Sequence, residues 1–349
     1  MVERLASMIA DGQMKAEYIN VESEHSAMAS CIGAQSTGVR SYTATSSQGL
    51  AYMWELLHVA AGMRLPIVMN VMNRALSAPL NIWTDWSDSI GCRDTGWIQL
   101  YCENVQEGVD TTIQAFRIAE HKDVLLPIMV CMDGFYLSHV YEPADIPADL
   151  KGFIGEYRPI FTLDPANPLS IGEYANPAYF QEFKEEQYKA INNAKRVITA
   201  INEEFGKKFG RKYGNGLVET YNMPAKFAIV TMGSVAGTIR HVLDRRKITD
   251  IGLVKIKSYR PFPSDDLKNI LGKVDSIGVF EKDISLGIGG AVCSELRGVV
   301  RNKPVSNFIG GLGGRDVKIK DVLKMFDMIR RRDEDIHWIG SKAEYYDIG

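Results

Sequence analysis

The amino-acid sequence predicts an α/β protein made of a doubly wound unit and a second α/β unit that follows it. Segments with the pattern of strands alternate with segments with the pattern of helices, and this order gives mainly parallel sheets covered by helices. Residues 66–72 read Pro-Ile-Val-Met-Asn-Val-Met, a nearly continuous apolar run typical of a strand that is buried on both faces. The same alternation starts again at residue 227, after a linker predicted at 213–216. A chain of 349 residues is long enough for two such units.

The first unit is predicted to alternate helices and strands up to residue 132. Its predicted elements are a helix over 1–10, a strand over 18–21, a helix that Gly38 closes, a strand over 39–45, a turn over 47–49, a helix over 50–61, the strand over 66–72, a helix over 105–120 and a strand over 125–132. Residues 75–96 show no regular period but contain several Trp, Asp and Arg residues, so we predict a lid or an interface there.

Proline-rich and polar segments lead from the first unit to the second. Residues 141–177 contain six prolines and are predicted to form an extended connector, which a long polar helix over 178–209 follows. The second unit is then predicted to contain strands over 227–232, 252–256 and 276–280, a helix that ends at Leu243, and a helix that Gly287-Ile288-Gly289-Gly290 opens.

Charge and hydropathy exclude several classes of function. The formal net charge is -3 and the pI is about 6.1, and no basic run alternates with aromatic residues, so nucleic acid is not an expected partner. No apolar run reaches the roughly 18 to 20 residues of a membrane helix, and residues 1–5 lack the apolar core of a signal peptide. We therefore expect no membrane association and a cytoplasmic location.

The cysteines and histidines form no recognisable disulfide or metal pattern. The five cysteines are odd in number and scattered, which favours free thiols in a reducing compartment (Cys31, Cys92, Cys102, Cys131 and Cys293). None forms a Cys-x-x-Cys pair, and the six histidines have no ligand spacing with Cys, Asp or Glu. We predict no metal site in this chain, and we place any iron–sulfur clusters of a redox enzyme on other chains.

Two charged residues lie at the ends of predicted elements. Glu24 falls in the opening turn of a helix, where the helix dipole favours a carboxylate without any further function. Arg74 follows the buried strand 66–72, at the carboxyl end where doubly wound sheets bind ligands. It could form a structural ion pair, or it could clamp a carboxylate through two parallel hydrogen bonds. For each of the two residues, the local pattern leaves both a structural and a functional role open.

Two glycine-rich segments lack the remaining residues of a nucleotide-binding motif. Residues 287–290 and 310–314 complete neither the dinucleotide fingerprint nor the phosphate loop with its lysine. Both segments are therefore predicted to form tight turns.

Seven stretches, taken in order along the chain, form a specific combination. They are Val-Glu-Ser-Glu-His-Ser-Ala-Met from residue 21, Thr-Ala-Thr-Ser-Ser-Gln-Gly-Leu from 43, Ala-Gly-Met-Arg-Leu-Pro-Ile-Val from 61, Asn-Arg-Ala-Leu-Ser-Ala-Pro from 73, Arg-Asp-Thr-Gly-Trp from 93, Arg-Pro-Phe-Pro from 260 and Gly-Leu-Gly-Gly-Arg-Asp from 311. In this order they resemble the α-subunit of the pyruvate:ferredoxin oxidoreductases (pyruvate synthases), within the 2-oxoacid:ferredoxin oxidoreductase family. The resemblance extends through nearly the whole chain, which makes it more specific than a single glycine motif.

The resemblance implies a fold and a site for each half of the chain. Residues 1–215 would form a thiamine diphosphate-binding domain of the pyrimidine type with its connector and long helix, and residues 216–349 a transketolase C-terminal-like α/β domain. Glu24 would hydrogen-bond the aminopyrimidine ring of thiamine diphosphate and so activate the cofactor. Arg74 would bind the substrate carboxylate. The same cleft would be lined by Ser47, Gln48, Gly49 and Asn73.

The resemblance also implies an activity and partner subunits. The reaction would oxidise pyruvate with coenzyme A to acetyl-CoA, CO₂ and reduced ferredoxin, or run in reverse. A β-subunit would bind the diphosphate and Mg²⁺, a δ-subunit would hold the iron–sulfur clusters, and a γ-subunit would complete the complex. A branched-chain 2-oxoacid such as 2-oxoisovalerate is the alternative substrate, because a few methylenes change binding by only ~1 to 3 kcal/mol each.

Family members carry a further N-terminal segment with a Tyr-Pro-Ile-Thr-Pro turn whose threonine contacts the substrate, and this sequence has no such turn. We therefore expect an N-terminally truncated chain or a misassigned start. An inert assembly subunit and a transketolase-like enzyme without ferredoxin are the remaining alternatives.

Overall fold

Two mostly parallel β-sheets organise residues 2–15 and 18–342, which the computed structural model describes. The helices are α1 (Val2–Ala10), α2 (Glu24–Ser36), α3 (Gln48–Tyr52), α4 (Trp54–Gly62), α5 (Ser87–Gly91), α6 (Val105–Ala119), α7 (Leu150–Ile154), α8 (Phe180–Phe209), α9 (Val235–Arg246), α10 (Ser264–Leu271), α11 (Ala291–Val299) and α12 (Ile319–Arg330). The strands are β1 (Tyr42–Thr45), β2 (Val68–Asn73), β3 (Ile98–Cys102), β4 (Ile128–Asp133), β5 (Val218–Tyr221), β6 (Phe227–Thr231), β7 (Ile251–Ile256), β8 (Ser258–Arg260), β9 (Ser276–Glu281), β10 (Val305–Gly310) and β11 (Ile336–Ile339).

The first sheet has the strand order β1-β2-β4-β3-β8. Strands β1 to β4 are parallel, while β8 runs antiparallel to β3. In the register between β2 and β4, Asn73 lies beside Asp133, so the polar residues that end these two buried strands meet at one edge. This carboxyl edge is where doubly wound sheets bind ligands.

The second sheet has the strand order β11-β10-β9-β6-β7-β5. Strand β5 is antiparallel to β7, and the other pairs are parallel. The chain moves from β6 to β7 in one direction and then returns past β6 to β9, so the winding reverses between β6 and β9. At this point Ser234 and Lys282, which lie just beyond β6 and β9, contact Asp133 of the first sheet.

A shared core joins the two sheets. One cluster of buried apolar residues combines Leu50, Trp86 and Tyr101 with Val254 and Tyr259 from the second half of the chain. Of two further clusters, one packs α6 and α8 on the first sheet, and the other packs α9 and α12 on the second. Strands such as β4 and β6 are buried along their whole length, so they read as nearly continuous apolar runs rather than as alternating patterns.

The structure confirms the predicted alternation of helices and strands. The helix predicted over 1–10 is α1, although Met1 lies outside the described residues, and the helices predicted over 105–120 and 178–209 are α6 and α8. The strand predicted over 66–72 is β2, and the three strands predicted in the second unit are β6, β7 and β9. Gly290 caps α11, as predicted from the glycine-rich run before it.

Two local predictions need correction. The strand over 18–21 is wrong: these residues are exposed and pair with no strand in the described part of the chain. A short apolar run forms a strand only where a partner strand satisfies its backbone and a face is buried, and both are missing here. The turn predicted over 47–49 is right for Ser47 alone, because Gln48 already begins α3.

The segment 75–96, predicted to be a lid or an interface, is largely interior. It contains α5, and Trp86, Asp88, Ser89 and Ile90 are buried. The loop before α5 is exposed through 77–80 and 82–83, and a lid or interface over 75–96 stays a prediction.

Strand β8 crosses the domain boundary that was predicted at residue 215. Residues 258–260 belong to the second half but complete the first sheet. The predicted boundary between 1–215 and 216–349 stays a prediction, and residues 343–349 of the predicted second domain lie outside the described residues. Among the helices that the structure describes, none combines the length and the apolar character needed to cross a bilayer.

Candidate active site

The side chain of Glu24 lies against the backbone of Gly49. Ser23 caps α2, because its hydroxyl accepts a hydrogen bond from the backbone N–H of Ser26 at 3.4 Å, and Glu24 is the first residue of that helix. A Cβ atom at position 49 would lie 2.9 Å from both Cγ and Oε1 of Glu24. Glu24 is exposed, and its carboxylate has no hydrogen-bond or ion-pair partner among the described residues. Packing against Gly49 therefore positions a carboxylate that is free to bind a group from outside the chain.

Ser47 has an unusual backbone conformation immediately before α3. Its φ of 51° and ψ of -123° lie in a region that residues other than glycine rarely adopt. Its backbone N–H donates to Oδ2 of Asp88 at 2.9 Å, and its hydroxyl donates to the carbonyl oxygen of Ala75 at 2.6 Å. These bonds hold the turn that places Gln48 and Gly49 beside Glu24.

Asn73 and Arg74 follow β2 and lie next to the Ser47 turn. The Nη2 atom of Arg74 donates to Oε1 of Gln48 at 3.1 Å, and Nε2 of Gln48 donates to the Ser77 hydroxyl at 2.6 Å. The Nδ2 atom of Asn73 donates to Oδ1 of Asp88 at 2.8 Å. The carboxyl end of β2 and the start of α3 are thus joined by side-chain hydrogen bonds.

Asp88, which the sequence analysis did not assign to the site, connects these residues. It is buried in α5 and accepts hydrogen bonds from Ser47 N, Asn73 Nδ2, Arg74 N and Ser89 N. Burial raises the pKa of Asp88 to about 6, although the hydrogen bonds favour its charged form. The available sequence signal was the number of acidic residues in 75–96, which does not indicate which of them is central.

Two buried polar atoms at the end of β2 have no hydrogen-bond partner among the described residues. They are Oδ1 of Asn73 and Nε of Arg74. A buried polar group without a partner costs about 1 to 3 kcal/mol, so a site that leaves two such atoms on consecutive residues is suited to a polar ligand. The Nε edge of a guanidinium is one of the edges that bind a carboxylate in bidentate fashion. An anionic group at this edge would satisfy Arg74.

A second buried polar cluster lies beside the site and joins the two sheets. Asp133 accepts hydrogen bonds from Lys282 Nζ at 3.0 Å, from Ser234 N at 2.9 Å and from Trp86 Nε1 at 2.8 Å. Burial alone would raise the pKa of Asp133, but Lys282 and Ser234 hold it below its usual value. Because these partners come from both halves of the chain, the cluster ties the end of β4 to the second sheet.

The structure brings all six predicted site residues into one region. Glu24 packs on Gly49, Gln48 bonds to Arg74, and Ser47 and Asn73 both bond to Asp88. Their chemical roles stay predictions. Within residues 2–15 and 18–342, no group of three or more His, Cys, Asp or Glu residues is arranged to hold a metal ion, and the cysteines are free thiols.

The sequence of this chain matches the models of two known protein families. Residues 1–203 match the profile described as pyruvate flavodoxin/ferredoxin oxidoreductase, thiamine diphosphate-binding. The chain belongs to this family. Residues 225–322 match the profile of pyruvate:ferredoxin oxidoreductase core domain II. The predicted fold class, a thiamine diphosphate-binding α/β domain followed by a second α/β domain, is confirmed.

Several oxidoreductase subunits of this family are close relatives in sequence. The chain is 50% identical to pyruvate synthase subunit PorA of Methanocaldococcus jannaschii, over 98% of this chain and 90% of the relative. It is 46% identical to the corresponding subunit of Methanothermobacter thermautotrophicus, with the same coverage. Ketoisovalerate oxidoreductase subunit VorA of Pyrococcus horikoshii is 41% identical, over 97% of this chain and 89% of the relative.

A solved structure shares the fold. The 2-oxoglutarate:ferredoxin oxidoreductase of Magnetococcus marinus superposes with a TM-score of 0.68 over 95% of this chain, at 18% identity. The chain spans 59% of the length of that neighbour. At this level of identity the similarity concerns the arrangement of the sheets and helices.

Proposed function

We propose that this chain is the α-subunit of a pyruvate synthase, which oxidises pyruvate with coenzyme A to acetyl-CoA, CO₂ and reduced ferredoxin, or runs in reverse. The observation that carries the proposal is that a free carboxylate, Glu24, and a partly unpartnered guanidinium, Arg74, contact neighbouring residues of one turn, Gly49 and Gln48. Pyruvate synthase subunits at 46 to 50% identity support pyruvate as the substrate.

The residues on this side of the cleft fit thiamine diphosphate. When bound, the cofactor supplies the electron sink that decarboxylation of a 2-oxoacid needs. Glu24 has no partner within the described chain, so its carboxylate is available to hydrogen-bond a ring nitrogen and to hold a proton there. Gly49 matters because any side chain at this position would occupy the space that Glu24 now fills.

Arg74 would orient the substrate. Its Nη2 is fixed by Gln48, so the guanidinium is held in place before a ligand arrives. Its unpartnered Nε can donate to a pyruvate carboxylate, and a planar fork holds such a group through two parallel hydrogen bonds. A pre-oriented carboxylate directs the 2-oxo carbon towards the same point in every binding event.

The proposal gives the remaining tasks to partner subunits in a cytoplasmic complex. A β-subunit would bind the diphosphate through Mg²⁺, a δ-subunit would carry the iron–sulfur clusters to ferredoxin, and a γ-subunit would complete the complex. The exposure of Glu24 supports this division, because an exposed carboxylate needs a facing surface to exclude water from the reaction.

Replacing Glu24 in the purified complex tests the proposal. We expect Glu24→Gln to lower kcat for pyruvate-dependent ferredoxin reduction by at least about 100-fold, since a positioned acid–base group contributes 10² to 10⁴. Glu22→Gln is the matched control: Glu22 is an exposed carboxylate two residues away that bonds to Ser26, and its replacement should leave kcat unchanged.

Arg74→Ala, measured beside these variants, should raise KM for pyruvate more than it lowers kcat. If Glu24→Gln and Arg74→Ala both retain the wild-type rate, the chain is an inert assembly subunit and the proposal is wrong.

A branched-chain 2-oxoacid is the second candidate substrate, because ketoisovalerate oxidoreductase subunits are 41% identical to this chain. Comparison of kcat/KM for pyruvate and 2-oxoisovalerate in one preparation decides between them. A preference for the branched substrate would replace pyruvate in the proposal and leave the roles of Glu24 and Arg74 intact.

A further inference from the structure

We propose that Asp88 is a positioning residue. It holds Arg74, which would bind the substrate, and the turn at Ser47–Gly49, which would face the cofactor, in a fixed position relative to each other. The inference rests on the proposed function of Glu24 and Arg74. Asp88 itself is 2% exposed and reaches no open cleft, so it acts through other residues rather than on the substrate.

Each carboxylate oxygen of Asp88 accepts two hydrogen bonds. Oδ2 accepts from the backbone N–H groups of Ser47 at 2.9 Å and Arg74 at 3.0 Å. Oδ1 accepts from Nδ2 of Asn73 at 2.8 Å and from the backbone N–H of Ser89 at 2.7 Å. One oxygen atom therefore joins the residue before α3 to the residue after β2, in addition to the bonds from Ser47 to Ala75 and from Arg74 to Gln48.

The Ser47 end of this connection is under strain. A non-glycine residue with a φ of 51° and a ψ of -123° is strained and persists only where several contacts define it. The bond to Asp88 is one of those contacts, and the Ser47 hydroxyl bond to Ala75 is another. Without Asp88 the turn can relax, and Gly49 would then move relative to Glu24.

Only a carboxylate satisfies all four donors. An asparagine at position 88 has one oxygen, and its NH₂ group would face two N–H donors on the other side. The same conflict arises when Asp88 is protonated, because the added O–H finds donors rather than acceptors around it. The anion is therefore the form that holds the geometry.

The titratable groups around Asp88 stay neutral near neutral pH. They are Cys92 beside α5, Tyr101 on β3 and Cys131 on β4, and burial raises the pKa of all three, to about 12 for Cys92. No ion pair of the described residues includes Asp88, and the Arg74 guanidinium points to Gln48 instead. A change of charge in this cluster near pH 6 therefore belongs to Asp88, whose pKa burial raises to about 6.

Asp88→Asn in the complete complex tests the inference with two binding readouts. We expect KM for pyruvate to rise about tenfold. The Kd of thiamine diphosphate, measured by calorimetric titration of cofactor-free complex, should rise by a similar factor. The reason is that Arg74 and the Ser47 turn each lose a hydrogen bond to a charged group. The expected change in kcat is smaller, about threefold or less, since Asp88 does not take part in the chemistry. Asp110→Asn is the control: Asp110 is an equally buried carboxylate bound to Arg211 and Tyr213, away from the site, and its loss should affect stability but neither KM nor Kd.

The wild-type complex gives a second measurement that does not depend on a variant folding. KM for pyruvate and the Kd of thiamine diphosphate should rise together as pH falls through about 6 and should be constant above pH 7. In Asp88→Asn this pH dependence should disappear, because asparagine does not titrate.

Three results would overturn the positioning role: constant KM and Kd in the wild type between pH 5 and pH 8, persistence of the pH dependence in Asp88→Asn, or a variant that loses stability while KM and Kd are unchanged. Failure of the proposed function is recognised separately, because then Glu24→Gln and Arg74→Ala would also leave activity intact.

Discussion

At Gly49 the missing side chain is what lets the Glu24 carboxylate lie over the start of α3. A Cβ here would stand 2.7 Å from the Thr45 hydroxyl as well as 2.9 Å from Glu24, so Gly49→Ala must displace both. Because Glu24 is exposed and Thr45 is held in β1, we expect the carboxylate to make the larger movement. The Kd of thiamine diphosphate should then rise about tenfold or more, because a hydrogen bond to a charged group contributes about 1.5 to 3 kcal/mol and about 1.4 kcal/mol is tenfold in Kd.

The stability of the Gly49→Ala chain separates displacement from unfolding. The free energy of unfolding should fall by no more than about 1 to 2 kcal/mol, because the exposed Glu24 side chain can move at low cost while the Thr45 hydroxyl must shift slightly. Gly62→Ala is the control, since a Cβ at this last residue of α4 meets no atom within 4 Å and the cofactor should bind as in the wild type. Unchanged cofactor affinity in Gly49→Ala would mean that Glu24 is not held by this contact.

The sequence indicates those site residues that are charged and lie at a recognisable end of a helix or a strand. Glu24 at a helix start and Arg74 at a strand end follow from local patterns, but their chemical roles come from the resemblance to a family. Asp88 could not be found in this way, because its partner Ser47 lies 41 residues earlier and their contact exists only in the tertiary fold. The unusual φ of Ser47 has no sequence signal either, since serine rarely adopts it.

Among the elements, β8 and the Arg260 side chain attach the second half of the chain to the first sheet. Arg260 donates to both carboxylate oxygens of Glu295, at 2.7 and 2.8 Å, and to the carbonyl oxygen of Arg93 at 3.2 Å. Its guanidinium also lies 4.5 Å from the centre of the Tyr259 ring. We expect Arg260→Ala to lower the free energy of unfolding by about 1 to 3 kcal/mol, because the partly buried Glu295 loses two hydrogen bonds and keeps the one from the Tyr259 hydroxyl.

Urea denaturation followed by circular dichroism measures this loss. Lys268→Ala on α10 serves as the comparison: its side chain is exposed and makes no hydrogen bond among the described residues, so the change should stay within about 0.5 kcal/mol. An equal, small effect in both variants would mean that β8 is held by its backbone ladder alone.

Strand prediction succeeded where a segment is continuously apolar and failed where tertiary pairing decides. Strand β2 was recognised because residues 66–72 are almost uniformly apolar. Strand β3 has five buried residues but includes Gln99, whose Nε2 donates to the Ser89 carbonyl oxygen, a contact invisible in the sequence. Residues 18–21 have the opposite property, a strand-like composition without a partner strand. Pairing is a property of the sheet, and local composition does not encode it.

At the scale of the whole molecule, a buried ionic network lies between the two sheets. Lys257 Nζ donates to Oε1 of Glu107 at 2.6 Å, and Lys255 Nζ donates to Oε2 of Glu107 at 3.1 Å and to Glu103 at 3.0 Å. Arg240 adds two bonds to Glu103. Both glutamates come from the first half of the chain and all three cations from the second, so the network specifies how the halves pack.

Glu107 makes this network sensitive to acid. Burial alone would raise the pKa of Glu107, but Lys257 and Lys255 lower it to about 2. A carboxylate with a lowered pKa contributes stability above its unfolded-state pKa of about 4.5, and this contribution is lost as pH falls towards 2.

The difference in free energy of unfolding between the wild type and Glu107→Gln should therefore be constant above pH 5 and smaller by about 2 kcal/mol at pH 3. Urea denaturation from pH 7 to pH 3 measures it. Ile201→Ala is the control: it changes a buried residue without a titratable group, so its difference in free energy of unfolding should not vary with pH. If the difference for Glu107→Gln does not vary with pH either, the two lysines do not stabilise the charge of Glu107.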